Sequence, residues 1–154
     1  MQPDELDELY GEVILDHYRS PRNARAVEHA HVQARGFNPF CGDEVNLQLS
    51  LDGIGAIEDV GCLGSGCSIS QASASMLTEA LKGKTLGEAE SLRTVFRRMM
   101  QGEALTPEER EAMGELEALI GVRKFPVRIK CALLAWAALE DGIKQYNAED
   151  KQAT

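Results

Sequence analysis

The feature that most constrains the fold is an alternation of polar and apolar residues over residues 44–51. Successive side chains of a β-strand point to opposite faces of a sheet, so this period of two predicts a strand with one buried face. Asp52-Gly53 follows as a hairpin turn signal, and residues 54–60 supply a partner strand. Residues 31–34 add a third candidate strand, which would complete the smallest antiparallel sheet that is stable when helices cover one side.

Helical patterns lie on both sides of this hairpin. Apolar residues recur at intervals of three and four over residues 4–19, which predicts an amphipathic helix that ends at Ser20-Pro21. After Gly61 every segment is predicted to be helical, and the last helix starts near Pro126 and gives way to a polar tail from Asn147. Capping boxes predict three further helix starts, at Ser68, Thr85 and Thr106. We therefore expect an α+β fold, with a small three-stranded antiparallel sheet packed against about five helices.

Length and charge exclude several classes of protein. The 154 residues suit a single domain spanning residues 1–154. With 25 acidic against 16 basic residues, the net charge of -9 opposes non-specific binding to nucleic acid or to an anionic membrane. No window approaches the roughly 18 apolar residues of a membrane span, and the acidic N-terminus does not resemble a secretory signal. We expect a cytoplasmic protein whose thiols stay reduced, with no nucleic-acid or membrane partner.

Three of the four cysteines lie where metal or catalytic residues are often found. Cys41 occupies a turn before the hairpin, Cys67 lies on a glycine-rich loop ahead of a helix, and Cys131 lies in the first turns of the last helix. Together with Asp43 they would supply the four ligands that tetrahedral zinc requires. The chain has no paired CxxC motif, so spacing alone leaves open that Cys67 and Cys131 are small core residues.

The distribution of charge favours a metal. Residues 36–78 contain no Lys or Arg, so no basic side chain nearby in sequence stabilises thiolates at Cys41 and Cys67. A bound divalent cation would do so. Three thiolates and a carboxylate around it leave two net negative charges, which Arg128 and Lys130 could offset. A solvated cation on the helix surface is an equal alternative for Arg128 and a weaker one for Lys130.

The remaining cysteine and the histidines give weaker signals. Cys62 could be a spare ligand, a resolving thiol for Cys67 or a packed strand residue, and the last interpretation is favoured. His17 lies on the apolar stripe of the first helix and is expected to pack partly in the core, whereas His29 and His31 lie in an exposed-looking segment. None has metal-ligand spacing to another histidine.

Four motifs of the chain resemble the U-type iron-sulfur cluster assembly family, the IscU and SufU proteins. They occupy residues 15–23 (LDHYRSPRN), 38–43 (NPFCGD), 66–75 (GCSISQASAS) and 128–131 (RIKC). The motifs occur in the family's order and cover most of the chain, so the resemblance is specific. The family's fold is the α+β arrangement predicted above, of the SufE/NifU-like type.

The resemblance also indicates a branch of the family. IscU scaffolds carry His before the third cysteine, where this chain has Lys130, and residues 84–121 form a longer helical stretch than an IscU chain needs. Both features resemble SufU proteins, which bind zinc through three cysteines and an aspartate and relay sulfur from a cysteine desulfurase. The resemblance implies that the ligands are Cys41, Asp43, Cys67 and Cys131. It implies further that Cys41 is the persulfide acceptor, and it assigns no role to Cys62.

The function implied by the resemblance is that of a zinc-dependent sulfurtransferase-type persulfide carrier. Its partners would be a SufS-like cysteine desulfurase and downstream cluster assembly proteins. Release of Cys41 from the metal on docking would free it to attack the desulfurase persulfide, with a group of the partner filling its place. Two alternatives stay open. One is a scaffold that holds iron or a 2Fe-2S cluster on the same ligands, and the other is a structural zinc-binding interaction module.

Overall fold

The structure, a computed structural model, describes residues 11–153 and, within them, the side chains of residues 11–149. This part of the chain contains five α-helices and a three-stranded antiparallel sheet, which confirms the predicted α+β class. The elements in chain order are α1 (Glu12–Arg19), β1 (Val32–Asn38), β2 (Asp43–Leu51), β3 (Ile57–Ser65), α2 (Ser68–Leu81), α3 (Leu86–Met100), α4 (Pro107–Met113), a 3-10 segment (Gly114–Lys124) and α5 (Pro126–Ala153).

The sheet brings two loops to one end. Its strand order is β1-β2-β3, and Asn38 pairs with Asp43 while Glu44 pairs with Ser65. Because neighbouring strands run in opposite directions, the end of β1, the start of β2 and the end of β3 all lie at the same end of the sheet. The alternation predicted for β2 is present, since Val45, Leu47 and Leu49 are buried and their neighbours are not. The loop of Cys41 therefore lies beside the segment that leads to Cys67.

Helix α5 is held beside the sheet by a buried polar contact with α2. The Ser73 hydroxyl donates to the Ala132 carbonyl at 2.6 Å and accepts the Trp136 indole N–H at 3.1 Å. Phe96 of α3 stacks on Trp136 with ring centroids 4.3 Å apart. All of these side chains are fully buried, so the contact sets the position of the α5 turn that carries Cys131.

Three boundaries in the sheet differ from the sequence prediction. Strand β1 extends to Asn38, and β3 begins at Ile57 rather than Ile54 and continues to Ser65 rather than ending at Val60. The added residues of β3 complete the ladder with β2, in which Leu47 pairs with Cys62. Gly64 stands in this ladder because a Cβ there would lie 2.4 Å from the Glu44 carbonyl oxygen. Gly64 therefore serves the close packing of β2 and β3.

The number of helices agrees with the prediction, but some of their starts and ends differ from it. The capping boxes at Thr85 and Thr106 are confirmed, each with its reciprocal pair of hydrogen bonds. The box at Ser68 is wrong, because Cys67 is the N-cap and its sulfur accepts the Ser70 N–H at 3.5 Å. The helix that starts at Pro107 ends at Met113, where Gly114 has φ +52° and the chain continues as the 3-10 segment.

The ends of the chain and the first helix give mixed outcomes. Helix α1 confirms the second half of the predicted first helix, and residues 4–10 lie outside the described residues. Helix α5 runs through the polar residues from Asn147 to Ala153, so the predicted tail is helical over that range.

His17 is more deeply buried than expected, and its Nδ1 lies 2.8 Å from the Ser75 hydroxyl. No described helix has both the length and the apolar character that a membrane span requires.

The Ser73 contact generates a stability prediction. Ser73→Ala leaves the buried Trp136 N–H without its acceptor, and an unsatisfied buried donor costs about 1 to 3 kcal/mol. We expect the free energy of unfolding in urea to fall by that amount. Ser91→Ala, at an exposed position of α3, is the matched control and should leave it unchanged. Equal unfolding midpoints for the two variants would contradict this role of Ser73.

Candidate metal centre

Three of the residues predicted as ligands from the sequence lie close together at the end of the sheet that carries the β1–β2 loop. One donor atom each from Cys41, Asp43 and Cys131 can be chosen so that all lie within 4.8 Å of one another. The sulfurs of Cys41 and Cys131 are 3.5 Å apart. Asp43 and Cys131 are fully buried, whereas Cys41 is exposed. The group therefore combines two buried residues with one exposed residue.

Cys67 joins this group through Asp43. The Cys67 N–H donates to Asp43 Oδ1 at 2.7 Å, and the Cys67 sulfur lies 3.6 Å from Oδ2. The two oxygens of the carboxylate therefore have separate roles, since one is bound by the backbone while the other faces the thiols. The structure thus brings the four predicted residues together.

A glycine makes room for the Asp43 carboxylate. Gly66 has φ +143°, a conformation that L side chains rarely adopt, and a Cβ there would lie 2.1 Å from Asp43 Oδ1. The side chain of Asp43 lies in the space that any larger residue at position 66 would occupy. The glycine-rich character of this loop is visible in the sequence, but only the structure shows that Gly66 makes room for Asp43.

Cys131 enters the site from the far end of the chain. It lies in the second turn of α5, where its sulfur is 3.7 Å from the Val127 carbonyl oxygen. The next residue, Ala132, is the one whose carbonyl is bound by Ser73. The prediction that Cys131 lies in the first turns of the last helix is confirmed.

The surroundings of Cys131 oppose its ionisation when no cation is present. Burial raises the pKa of the Cys131 thiol well above its usual range, and hydrogen bonds with Asp43, Cys41 and Cys67 raise it further. Sulfur and carboxylate donors packed this closely would repel one another as anions. A divalent cation removes that repulsion and displaces the protons. Three sulfurs and one carboxylate oxygen are a donor set that suits tetrahedral zinc, so the residues present fit this metal.

The surroundings of Cys41 are exposed and apolar. Phe37, Phe40 and Val127 are 63%, 82% and 64% exposed. A shallow groove of about 290 Å³ runs beside Phe40 and is lined also by Val127 and Lys130. The Lys130 ammonium lies 5.2 Å from the centre of the Phe40 ring, a cation–π contact. Large exposed apolar side chains that cluster around a reactive group are typical of a surface that binds a partner.

Cys62 lies away from this group. It is 8% exposed within β3, opposite Leu47, and burial raises its pKa to about 11. It does not belong to either group of described residues whose donor atoms come within 4.8 Å of one another. Its environment matches the packed strand residue that the sequence favoured.

A second group of donors, which spacing in the sequence does not reveal, surrounds His17. Its Nε2 lies 3.2 Å from a Glu115 oxygen and 3.8 Å from a Glu79 oxygen. Both carboxylates are at least half exposed, and the Arg22 guanidinium lies 3.7 Å from Glu79. Ion pairing and the Ser75 hydrogen bond account for these contacts, so we assign no metal here.

Comparison with known proteins gives one family and several close relatives. The family model described as NifU-like N terminal domain matches residues 9–132. The zinc-dependent sulfurtransferase SufU of Bacillus subtilis (strain 168) is 49% identical over 138 residues, which cover 90% of this chain and 91% of the relative. The iron-sulfur cluster assembly scaffold protein IscU of Streptococcus pyogenes serotype M1 is 43% identical over 146 residues, with 91% and 86% covered.

Solved structures share the fold. A crystal structure described as an iron-sulfur cluster assembly scaffold protein for the SUF system, from Fervidobacterium islandicum AW-1, superposes with a TM-score of 0.81. It is 35% identical and covers 88% of this chain and 97% of its own. A NifU-like protein (N-terminal) from Brucella abortus, 23% identical, has the same TM-score of 0.81, covers 94% of this chain and 98% of its own, and supports the fold alone.

The geometry of Gly66 predicts that a larger residue at this position weakens metal binding. Gly66→Ala places a Cβ against the Asp43 carboxylate and must displace it, so we expect the variant to lose metal to a chelator that leaves the parent loaded. The measurement is zinc per chain after dialysis. Gly102→Ala is the matched control, because Gly102 also has a positive φ, +91°, but a Cβ there meets no atom within 4 Å. Equal metal retention in the two variants would contradict the role assigned to Gly66.

Proposed function

This chain belongs to the NifU-like N-terminal domain family, and on that premise we propose that it is a zinc-dependent acceptor and carrier of persulfide sulfur in iron-sulfur cluster assembly. The observation that carries the proposal is the asymmetry of the site. Asp43 and Cys131 are buried and Cys67 is partly buried, whereas Cys41 is exposed among apolar side chains. The similarity to a zinc-dependent sulfurtransferase at 49% identity supports the same activity.

The proposed metal ligands are Cys41, Asp43, Cys67 and Cys131. When bound, zinc keeps the coordinating thiols deprotonated at neutral pH. The chain prepares this set by burying Asp43 and by orienting its carboxylate with the Cys67 N–H. Asp43 starts β2, Cys67 caps α2 and Cys131 lies within α5, so regular elements hold three of the four donors.

Cys41 is the proposed sulfur acceptor, because it is the exposed member of the set and lies on the loop between β1 and β2. Its thiolate attacks the terminal sulfur of a persulfide on the donor enzyme. A new S–S bond forms at Cys41, the S–S bond of the donor breaks, and the donor cysteine leaves as a thiolate. No oxidant or reductant is needed, since one disulfide-type bond replaces another.

The partner proposed for this step is a cysteine desulfurase of the SufS type. It would dock on the exposed apolar side chains around Cys41, and the groove beside Phe40 would receive one of its side chains. Lys130 places a positive charge at the rim of this groove. Downstream cluster assembly proteins would then take the sulfur from the same exposed position.

Two further assignments accompany this function. We propose that residues 1–154 form one domain, because the buried residues of the described part form a continuous cluster that includes Ile14 of α1 and Ile143 of α5. We also place the protein in the cytoplasm, where reduced thiols remain available for metal binding and sulfur exchange.

A scaffold for a 2Fe-2S cluster is the second candidate. The 43% identity to a scaffold protein favours it, and thiolates are also the usual ligands of such clusters. The two functions differ in what the site carries after incubation with iron, cysteine and a desulfurase under anaerobic conditions. A carrier retains zinc and gains sulfur at Cys41, whereas a scaffold takes on the oxygen-sensitive colour of a cluster and passes that cluster to an apoprotein.

The decisive experiment locates the transferred sulfur. Incubation with a SufS-type desulfurase and cysteine should add one sulfur atom to Cys41, because this is the exposed thiol of the set. Trypsin leaves Cys41, Cys62 and Cys67 on one peptide, residues 36–82, so fragmentation of that peptide in the mass spectrometer identifies the modified residue. Cys41→Ser should abolish both the modification and the stimulation of desulfurase turnover, while zinc is retained at least in part by the other three ligands.

Cys62→Ser is the matched control for that experiment. Cys62 is buried in β3 outside the donor group, so its replacement should leave zinc content and sulfur transfer unchanged. Sulfur found on Cys67 or Cys131 with Cys41 unmodified would refute the acceptor assignment. Loss of zinc in Cys62→Ser would refute the ligand set.

The docking surface makes a separate prediction. Phe40→Ser removes the most exposed aromatic side chain beside Cys41, and covering such a ring contributes about 1.4 kcal/mol or more to binding, or tenfold in affinity. We expect the concentration of this protein that half-saturates the desulfurase to rise about tenfold, with zinc content unchanged. Ile54→Ser, which removes an 89% exposed side chain in the β2–β3 turn, is the control and should have no effect. The same half-saturating concentration for both variants would place the docking surface elsewhere.

A further inference from the structure

The side chain of Asn38 contacts the Cys41 loop through both ends of its amide. Asn38 is the last residue of β1 and is 7% exposed. Its Nδ2 lies 3.5 Å from the Cys41 sulfur, and its Oδ1 accepts the Phe40 N–H at 3.1 Å. The Asn38 carbonyl oxygen also accepts the Gly42 N–H at 2.8 Å. One residue therefore binds the loop before, at and after Cys41.

The hydrogen bonds determine which way the amide faces. A backbone N–H can only donate, so the amide oxygen must be the atom that faces Phe40. The amide nitrogen is then the atom that faces the Cys41 sulfur. A buried N–H donor is thus aimed at the exposed sulfur, and this bond strengthens when the sulfur is a thiolate.

With the loop backbone held by these contacts, the Cys41 sulfur can move mainly by rotation of its own side chain. The Phe40 and Gly42 hydrogen bonds restrain the loop backbone on both sides of Cys41, so rotation about the Cα–Cβ bond decides where the sulfur points. The Nδ2 contact is compatible with the orientation in which the sulfur also approaches Cys131, at 3.5 Å. The other orientations would lose this hydrogen bond.

We propose that Asn38 is a positioning residue for sulfur transfer, which orients the Cys41 sulfur through its Nδ2–H hydrogen bond. This inference rests on the proposed function, since it assumes that Cys41 is the acceptor. The contact of Asn38 is with the sulfur of Cys41, so it acts through Cys41. The sequence motif places Asn38 three residues before Cys41, but only the fold aims its amide back at the sulfur.

The test separates this donor from the turn that Asn38 also stabilises. The Asn38→Ser hydroxyl can still accept the Phe40 N–H but is too short to reach the sulfur. We expect the maximal rate of sulfur transfer to fall about fivefold, the effect of one hydrogen bond, with zinc content and half-saturating concentration unchanged. Asn38→Asp keeps the size of the side chain but replaces the donor by a negative charge, and it should lower the rate further. Asn46→Ser makes the same change as Asn38→Ser in β2, outside the site, and should match the parent.

A spectroscopic measurement reads the same contact without turnover. In cobalt-substituted protein the thiolate-to-cobalt charge-transfer absorption should move to lower energy in Asn38→Ser, because the Cys41 thiolate loses a stabilising donor. Asn46→Ser should leave the absorption unchanged. An unaltered rate and spectrum in Asn38→Ser would overturn the proposal. A fall in zinc content that accounts for the whole loss of rate would also overturn it, since Asn38 would then be structural.

The Cys41→Ser variant distinguishes an error in the proposed function from an error in the role of Asn38. Cys41→Ser should alter the cobalt absorption and abolish transfer whatever Asn38 does. If Cys41→Ser leaves both unchanged, Cys41 is not the acceptor, and the proposed function falls together with this role of Asn38. If Cys41→Ser alters both and Asn38→Ser alters neither, only the role of Asn38 is wrong.

Discussion

The arrangement of the site depends on one buried carboxylate. Asp43 is fully buried at the start of β2, and a buried carboxylate is costly unless hydrogen bonds compensate its charge. The Cys67 N–H supplies one such bond at 2.7 Å, and Gly66 leaves the space in which the carboxylate lies. This contact ties the first strand of the hairpin to the first turn of α2. It therefore sets the distance between the Cys41 loop and Cys67.

The third cysteine reaches the site through helix packing. Small side chains on α2 let α5 approach closely, and the Ser73 hydroxyl binds the Ala132 carbonyl directly beside Cys131. Trp136 and Phe96 then fill the core behind this contact. The polar contact fixes the rotation of α5, and the stacked rings are part of the hydrophobic core. These contacts bring Cys131, some sixty positions from Cys67 in the sequence, to the same site.

The combination of one exposed and three shielded donors suits exchange at a surface. Asp43, Cys67 and Cys131 lie on or at the ends of regular elements, which under the proposed function would let them retain a metal while Cys41 on its loop exchanges sulfur. The absence of Lys and Arg from residues 36–78 leaves the thiolates dependent on a bound cation. Lys130 comes to the rim from α5 instead, over the ring of Phe40. The apolar residues around Cys41 then offer a partner a surface that loses water readily.

The sequence by itself determined the class of fold and the hairpin, and it supplied the four residues that we propose as metal ligands. These features follow from residues that are close together in the sequence, so they can be predicted without the tertiary structure. They are the alternation over residues 44–51, the Thr85 and Thr106 caps and the four motifs. What it could not determine depends on contacts between distant residues. Strand β3 runs to Ser65 because β2 offers it a ladder, Cys67 caps α2 in place of Ser68, and Gly66 makes room for Asp43. Only the tertiary structure decided that Cys41 is exposed while Cys131 is buried, and that the Asn38 amide faces sulfur, because burial and hydrogen-bond direction are properties of the packed chain.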